Sequence, residues 1–304
     1  MCSPGVAYMK ARDLLWEDVD NVGKPKNNPI SLAKLKPDTL EPGSKQGIRI
    51  TSGTEKLFQK ISEDCAEYIR VVQETNQFLL RGGTGPDAFL GRSWLARKPK
   101  DSNKEASQLF DDMLRKSGMT ALRGNSIFAT TDGWLAETFG NKVYLIFPLD
   151  GKSSFTYTDK HDVTLVFPED VGVDQNKTNI YRAQVAEWIK QFQTTDLYNT
   201  LPNNRKEIVQ SLEAMARITT ITHIARQLQW VQDSNSAIVI HDELLNPDLR
   251  DYMSHEAFVE KYQPTNTNLA VAMEDKLEVY IHGLYYALNR EKYGGLAYEY
   301  WELD

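Results

Sequence analysis

A helical block interrupts the strand-forming segments of this chain, and this interruption constrains the fold more than any other sequence feature. Between residues 180 and 232, apolar side chains recur at the steps of amphipathic helices, and the pattern predicts two of them. A last strand pair is predicted at 279–288. The pattern indicates an α+β fold: a mostly antiparallel sheet flanked by helices, with a helical insertion at about 175–260. Strand-like runs precede the block at residues 78–80, 126–130, 143–147, 154–158 and 163–167.

The segments between these strands give further expectations. Apolar spacing predicts one helix over 52–75 and another around 109–114, with Gly118 as its C-cap. The stretch 82–103 contains Gly, Pro and Arg and predicts a long loop. Asp150-Gly151 is a dipeptide typical of tight turns. These signals place each chemically capable residue near a strand end.

The amino terminus differs in composition from the rest of the chain. Residues 1–50 are rich in Pro, Lys, Asn and Asp, which predicts an irregular arm packed on the body. Residues 51–304 are then expected to form one domain that contains the helical insertion. With 304 residues, the chain is long enough to bury a substantial core.

Charge and cysteine usage exclude several classes of protein. The net charge of −7, from 42 acidic and 35 basic residues, argues against a broad nucleic-acid-binding surface. Cys2 and Cys65 form neither a disulfide framework nor a zinc pattern, and the five histidines lack ligand spacing, so no metal is expected. There is no Sec-type leader pattern and no run of about 20 apolar residues. A cytoplasmic location without membrane attachment is therefore predicted.

Three residues stand at the edges of strand-like runs and could act together. Arg81 follows a short apolar run and precedes two glycines; its guanidinium suits phosphate oxygens. Thr130, at the end of the second run, supplies a hydroxyl. Glu278 begins the last run, and a carboxylate there can stabilise positive charge on a sugar ring. This set suits the cleavage of a glycosidic bond in a dinucleotide that carries a pyrophosphate.

Each of these residues also has an ordinary structural explanation. Arg81 fits a surface salt bridge, Thr130 fits strand packing, and Glu278 fits an exposed charge at a strand end. Arg123-Gly124 repeats the Arg-Gly dipeptide and is a rival to Arg81. No P-loop, G-x-G-x-x-G or G-x-S-x-G element is present, which removes the commonest phosphate-binding folds.

In this order, the segments resemble the arginine–serine–glutamate class of mono-ADP-ribosyltransferases. The resemblance is closest to bacteriophage-encoded members and more distant to clostridial binary toxins, and it covers about residues 55–167 and 264–290. It implies a split antiparallel sheet that binds NAD as a substrate. The matching elements are Leu80-Arg81-Gly82, Ala129-Thr130-Thr131-Asp132 in place of a Ser-Thr-Ser strand, Val143–Pro148 with Gly151, and Glu278 to Gly283.

The resemblance implies a role for each matching residue. Arg81 holds the NAD pyrophosphate, and the backbone of Gly82 binds the nicotinamide carboxamide. Thr130 hydrogen-bonds and positions Glu278, which binds the ribose 2′-hydroxyl and stabilises the oxocarbenium-like transition state. The other expected NAD contacts come from Ser126 and Thr131 beside Thr130, from Phe128 or Trp134 stacked on nicotinamide, from the loop 132–139, and from Arg92 or Arg97 on the phosphates.

The acceptor of ADP-ribose is left open by the sequence. Lys276 stands two residues before Glu278, where members that modify arginine carry Glu and members that modify asparagine carry Gln. A host protein or RNA is the expected acceptor, for a transferase that releases nicotinamide. The alternatives are an NAD glycohydrolase, which uses water, and an inactive protein on the same fold that acts in a virion or against host defence. The insertion is a candidate surface for a protein partner or for self-association.

Overall fold

The structure is a computed structural model that describes residues 30–31, 47–93, 104–161, 167, 170–171 and 174–303. The chain divides into two compact units. The first contains residues up to 101 together with 114–161 and 263–304. The second contains 102–113 and 162–262. Of the predicted arm at 1–50, only residues 30–31 and 47–50 are described, and they contribute two strands to the first unit.

The first unit is built on a mixed sheet of seven described strands. Their order is β1-β2-β4-β7-β6-β3, and β5 pairs with β7 beside that path. The β1–β2 pair is parallel, and all other pairs are antiparallel. The strands are β1 Ile30–Ser31, β2 Ile48–Thr51, β3 Leu79–Gly83, β4 Ala88–Arg92, β5 Ile127–Ala129, β6 Lys142–Tyr157 and β7 Val279–Asn289.

Twelve helices are assigned within the described residues. They are α1 Thr54–Asp64, α2 Ala66–Thr75, α3 Lys104–Lys116, α4 Gly133–Thr138, α5 Gln175–Gln193, α6 Asp196–Thr200, α7 Asn203–Ile218, α8 Ile221–Asp233, α9 Asp242–Leu245, α10 His255–Tyr262, α11 Leu269–Glu274 and α12 Arg290–Tyr300. None of the helices in this part of the chain is long and apolar enough to cross a membrane.

The central strand β7 changes partner part-way along its length. Residues 279–281 pair with β5, and residues 284–288 pair with β4, while β6 follows the opposite edge. The change occurs at Gly283, which has φ +112° and whose added Cβ would lie 2.1 Å from the carbonyl oxygen of Lys152. Only glycine fits there. The sheet is therefore split into two parts along β7.

A bridge beyond β5 brings the edge strand β3 back toward the centre. Leu80 on β3 and Thr130, the residue after β5, exchange two backbone hydrogen bonds of 2.6 and 2.9 Å. Since β3 also pairs with β6, the pairing runs from β7 through β6 and β3 to Thr130. The sheet consequently curls around the point where β3, β5 and the start of β7 meet.

Helices α1, α2 and α12 cover one face of this sheet. Trp301, which follows α12, packs against Phe58 of α1 and Phe147 of β6, with ring centroids 5.0 and 5.4 Å apart. Phe78 meets the same tryptophan at 5.9 Å. Burial of these large rings supplies much of the apolar area that stabilises the unit.

The second unit is helical. Apolar residues such as Val185 of α5, Leu212 of α7 and Leu228 of α8 are fully buried in it. Aromatic rings of α3, residue 167 and α10 form a second cluster, in which Phe110 lies 5.0 Å from Phe167 and 5.4 Å from Phe258, centroid to centroid. The predicted insertion at about 175–260 falls within the residues of this unit.

The mixed α+β class predicted from the sequence is confirmed, whereas several element boundaries were wrong. The helix predicted over 52–75 is broken at Cys65 into α1 and α2. The sequence does not indicate this break, because both helices bury their apolar faces in the same core and the apolar spacing runs through Cys65. The predicted helix pair at 180–232 is four helices. Thr195 and Thr220 cap α6 and α8, and apolar periodicity does not register such caps.

Two segments in which glycine predicts a turn or a loop are strands in the structure. The predicted loop 82–103 contains β4, in which Gly91 accommodates a neighbouring ring. Asp150-Gly151 is not a hairpin turn: it lies within β6, at a register shift between Pro148 and Ser153. The predicted strand pair at 279–288 is the single strand β7. Of the strand predicted at 163–167, residues 163–166 lie outside the described part.

Candidate active site

Arg81, Thr130 and Glu278 converge at the point where β3, β5 and β7 meet. Arg81 follows Leu80, which bridges Thr130. Glu278 directly precedes Val279, which pairs with Ala129 at the end of β5. Residues separated by 49 and 148 positions in the sequence are thus joined through backbone hydrogen bonds of neighbouring strands.

The Arg81 guanidinium is half-buried and strongly desolvated. Its Nη1 donates a hydrogen bond of 2.9 Å to the carbonyl oxygen of Phe128. Burial lowers the pKa of Arg81, and the nearby Tyr285 and Glu278 oppose that shift. Among the described residues, the guanidinium uses one of its five N–H donors and forms no ion pair within 4 Å. The site therefore presents a cation whose remaining N–H groups can donate hydrogen bonds to an anion.

The loop before β7 holds Glu278 through a helix C-cap. Leu277 N–H donates to the carbonyl of Ala272 at 2.9 Å, and Lys276 N–H donates to that of Met273 at 3.3 Å. This is a Schellman motif, with Lys276 in the left-handed conformation at φ +56°. The half-buried carboxylate follows two residues later, and its Oε2 lies 3.5 Å from the hydroxyl of Tyr280.

The hydroxyls of Thr130 and Thr131 fasten this loop. Thr130 Oγ1 donates to the carbonyl of Lys276 at 3.3 Å and accepts from Asp132 N–H at 3.1 Å. Thr131 Oγ1 donates to the carbonyl of Met273 at 2.6 Å. The resemblance implied a hydrogen bond from Thr130 to the glutamate. In the structure, Thr130 acts on Glu278 through the backbone two residues before it.

Gly82 has a packing reason to be glycine. A Cβ there would lie 2.1 Å from the carbonyl oxygen of Ala136, because α4 packs directly on β3. Consecutive residues of a strand face opposite sides, so the Arg81 side chain points away from α4. The expectation that the Gly82 backbone binds nicotinamide stays a prediction.

Phe128 enters the site through its backbone. Its carbonyl accepts the Arg81 hydrogen bond, while its ring packs edge-on to Tyr280 at 5.3 Å and lies 5.4 Å from the Arg123 guanidinium. The rival arginine, Arg123, thus lies beside the same strand, in a short 3₁₀ turn ahead of β5. The ring of Phe128 already has aromatic and cationic neighbours.

Two other expected NAD-binding residues, Ser126 and Trp134, are not brought to this point. Ser126 is buried and donates to Asn125 Oδ1 at 2.9 Å, about 13 Å along the strand from Thr130. Trp134 is 72% exposed on α4, and no described contact joins it to Arg81. Arg97 lies outside the described residues.

Two tyrosines of β7 were missed as site residues. Tyr280 lies beside the Glu278 carboxylate, and the Tyr285 hydroxyl lies near enough to Arg81 for each group to shift the pKa of the other. Successive side chains of β7 alternate between the two faces of the sheet, and this alternation is the signal that the sequence offers. It could be used only with the register of the neighbouring strands, which local sequence does not contain.

Within the described ranges, no group of three or more His, Cys, Asp or Glu residues could hold a metal ion. His282 instead lies with its Nδ1 2.9 Å from the carbonyl oxygen of Asn125 and 3.1 Å from Ser93 Oγ.

Compared with models of protein families, with curated proteins and with solved structures, the chain gives no match. The site must therefore be interpreted from its own geometry.

Proposed function

We propose that this protein is a mono-ADP-ribosyltransferase, which transfers ADP-ribose from NAD to a host protein or RNA and releases nicotinamide. The observation that carries the proposal is the convergence of Arg81, Thr130 and Glu278 on one junction of a split antiparallel sheet. The order and setting of these residues resemble the arginine–serine–glutamate class. The phage origin of the closest members suggests a host macromolecule as the acceptor.

In the proposed reaction, the bond between C1′ of the nicotinamide ribose and the ring nitrogen breaks. Nicotinamide leaves with the bonding electron pair, and the ribose gains positive charge. A nucleophilic atom of the acceptor bonds to C1′ and loses its proton to solvent. Glu278 accepts a hydrogen bond from the 2′-hydroxyl and stabilises the developing charge, while Arg81 holds the pyrophosphate.

The electrostatics of the site support this division of roles. The cation of Arg81 is desolvated and has no ion pair among the described residues, so attraction to a phosphate anion would offset the free-energy cost of its desolvation. The carboxylate of Glu278 stands on a loop fixed by the Schellman motif and by Thr130. A fixed carboxylate costs little reorganisation when charge appears on the substrate.

The test is incubation with NAD labelled in its adenylate half, in a bacterial lysate. Wild type, Glu278→Gln and Arg81→Lys are compared, with the exposed residues Glu74→Gln and Arg70→Lys of α2 as matched controls. We expect the wild type to release nicotinamide and to label protein or RNA. Glu278→Gln should lower the rate about 100-fold or more, and both controls should keep it.

The products decide between the alternatives. Nicotinamide release without label on any macromolecule would identify an NAD glycohydrolase. Wild-type rates in Glu278→Gln would refute the assignment of the glutamate. Absence of turnover in the wild type, together with no stabilisation by NAD in thermal unfolding, would refute the proposed function and favour a binding protein.

A further inference from the structure

The ring of Tyr285 on β7 packs over Gly91 of the neighbouring strand β4, where there is no side chain in its way. An added Cβ on Gly91 of β4 would lie 2.6 to 2.8 Å from three ring-end atoms of Tyr285, including Oη. The tyrosine is 8% exposed, and its ring lies edge-on to Phe89, with centroids 6.3 Å apart. The ring is therefore held in one place, which fixes where its hydroxyl points.

The hydroxyl of Tyr285 forms no hydrogen bond with the described residues, and it is not among their fully buried unbonded side-chain atoms. It is therefore a donor that solvent or a ligand can reach, although most of its ring is buried. The fixed ring and the unbonded hydroxyl together leave this donor available to a ligand.

Tyr285 and Arg81 lie on the same face of the sheet. Arg81 is opposite Tyr144 on β6, which is opposite Asn289 on β7. Tyr285 precedes Asn289 by four residues, an even number, so its side chain points to the same side. Burial raises the pKa of Tyr285 and the Arg81 charge opposes that shift, so the phenol stays a neutral donor at physiological pH.

We propose that the Tyr285 hydroxyl and the Arg81 guanidinium together bind the pyrophosphate of the dinucleotide, which makes Tyr285 a substrate-binding residue. A phosphate chain has oxygens on two phosphorus atoms and can accept from both donors at once. The inference rests on the proposed function for the identity of the ligand. It goes beyond it by assigning a second donor, on a different strand, to the phosphates.

The experiment measures binding by calorimetry. Two probes carry phosphate, inorganic pyrophosphate and ADP-ribose, and nicotinamide is the control probe without phosphate. Wild type is compared with Tyr285→Phe and with Tyr144→Phe. Tyr144 is the matched control, because it is a buried tyrosine of the same face whose unbonded hydroxyl is fully buried, out of reach of a ligand, and whose pKa responds to Asp87 and not to Arg81. Thermal unfolding of each variant checks its fold.

We expect both phosphate probes to bind wild type and Tyr144→Phe equally. Tyr285→Phe should bind them about tenfold more weakly, as for loss of one hydrogen bond to a charged group. Its melting temperature should stay within about 2 °C of wild type. Nicotinamide affinity should not depend on the Tyr285 hydroxyl.

The outcomes separate this inference from the proposed function. Weakened phosphate binding in Tyr285→Phe, in a protein that neither turns over NAD nor is stabilised by it, would uphold the phosphate contact of Tyr285 and refute the transferase. Turnover of NAD with an unchanged KM in Tyr285→Phe would uphold the transferase and overturn the inference. Failure of wild type to bind either phosphate probe would also overturn it.

Discussion

Tyr285 and Tyr286 are consecutive residues of β7, and they show how differently the two faces of one sheet are built. Tyr286 faces the helices, is fully buried, and donates a hydrogen bond of 2.6 Å to Oδ2 of Asp64 at the end of α1. Tyr285 faces the other side, is nearly as buried, and has no described acceptor. The difference separates a hydroxyl that stabilises the fold from one that is available to a ligand.

Other polar groups follow the same division. On the helix-covered face, the hydroxyl of Tyr68 accepts from Leu79 N–H at 2.8 Å, and Nε1 of Trp301 donates to Ser62 Oγ at 2.9 Å. On the opposite face, Tyr144 is 2% exposed and its hydroxyl has no described partner. An unbonded buried hydroxyl costs stability, and Tyr144 supplies one on the Arg81 face.

The largest expected effect comes from filling the space beneath Tyr285. In Gly91→Ala, the new methyl group would meet the tyrosine ring at 2.6 to 2.8 Å. We expect a loss of about 2 kcal/mol in the free energy of unfolding, together with weaker pyrophosphate binding, because the ring must move. Chemical denaturation and calorimetry measure the two effects.

Gly295→Ala is the control for that variant. Gly295 lies within α12 and an added Cβ meets nothing within 4 Å, so alanine should stabilise by about 0.5–1 kcal/mol. If Gly91→Ala is as stable as wild type and binds pyrophosphate equally well, the ring of Tyr285 is mobile and the assigned binding geometry is wrong.

Removal of each phenol hydroxyl compares the two faces directly. Tyr286→Phe should cost about 1.5 kcal/mol, since it breaks a buried hydrogen bond to the Asp64 carboxylate. Tyr285→Phe should change stability by less than about 0.5 kcal/mol, because no described hydrogen bond is lost. Denaturation of both variants in the same buffer gives the difference. Equal losses would mean that Tyr285 has a structural partner, and the comparison would fail.

Thr130 marks the limit of this division, because it belongs to the site and yet has both hydrogen bonds satisfied. Its hydroxyl donates to Lys276 and accepts from Asp132. Thr130→Val should cost about 1 kcal/mol and slow the proposed reaction by loosening the loop of Glu278. Thr130→Ser keeps the hydroxyl and should restore the rate. A serine variant as slow as the valine variant would show that the methyl group, not the hydroxyl, matters.

The sequence predicts the three junction residues better than it predicts the groups around them. Arg81, Thr130 and Glu278 each stand at a change from strand-like to polar sequence, a local signal. The C-cap that fixes Glu278 has no such signal, because Lys276 occupies a left-handed position where glycine is usual. Local composition therefore indicates where chemistry can occur but not what holds it in place.

Tyr285 and Tyr286 show why the remainder was not predictable. The two residues are identical, and which one faces the helices depends on the register of β7 against β4 and β6. That register is fixed by Gly283 and by the bulge in β6, features of tertiary packing that the dipeptide Asp150-Gly151 suggested only as a turn. Shifting β7 by one residue would exchange the two tyrosines.

The smallest effect at neutral pH is expected at Tyr144, whose hydroxyl has no described partner. Tyr144→Phe should stay within about 0.5 kcal/mol of wild type at pH 7, since no hydrogen bond is lost. Burial, with a smaller contribution from Asp87, raises the pKa of Tyr144 from 10.0 to about 12. Between these values the unfolded chain ionises this tyrosine while the folded chain keeps its proton. The unfolded state thus binds fewer protons, and stability falls as pH rises through the window.

Tyr144→Phe removes this contribution, so its stability should decline less than that of wild type between pH 10 and 12. Denaturation at pH 7, 10 and 11.5 measures the slope for both proteins, and Tyr286→Phe serves as the comparison from the helix-covered face. A loss above about 1 kcal/mol at pH 7 would show that the Tyr144 hydroxyl has a partner. In that case an unbonded hydroxyl would no longer distinguish the two faces, and the assignment of Tyr285 to ligand binding would depend on the pyrophosphate measurement alone.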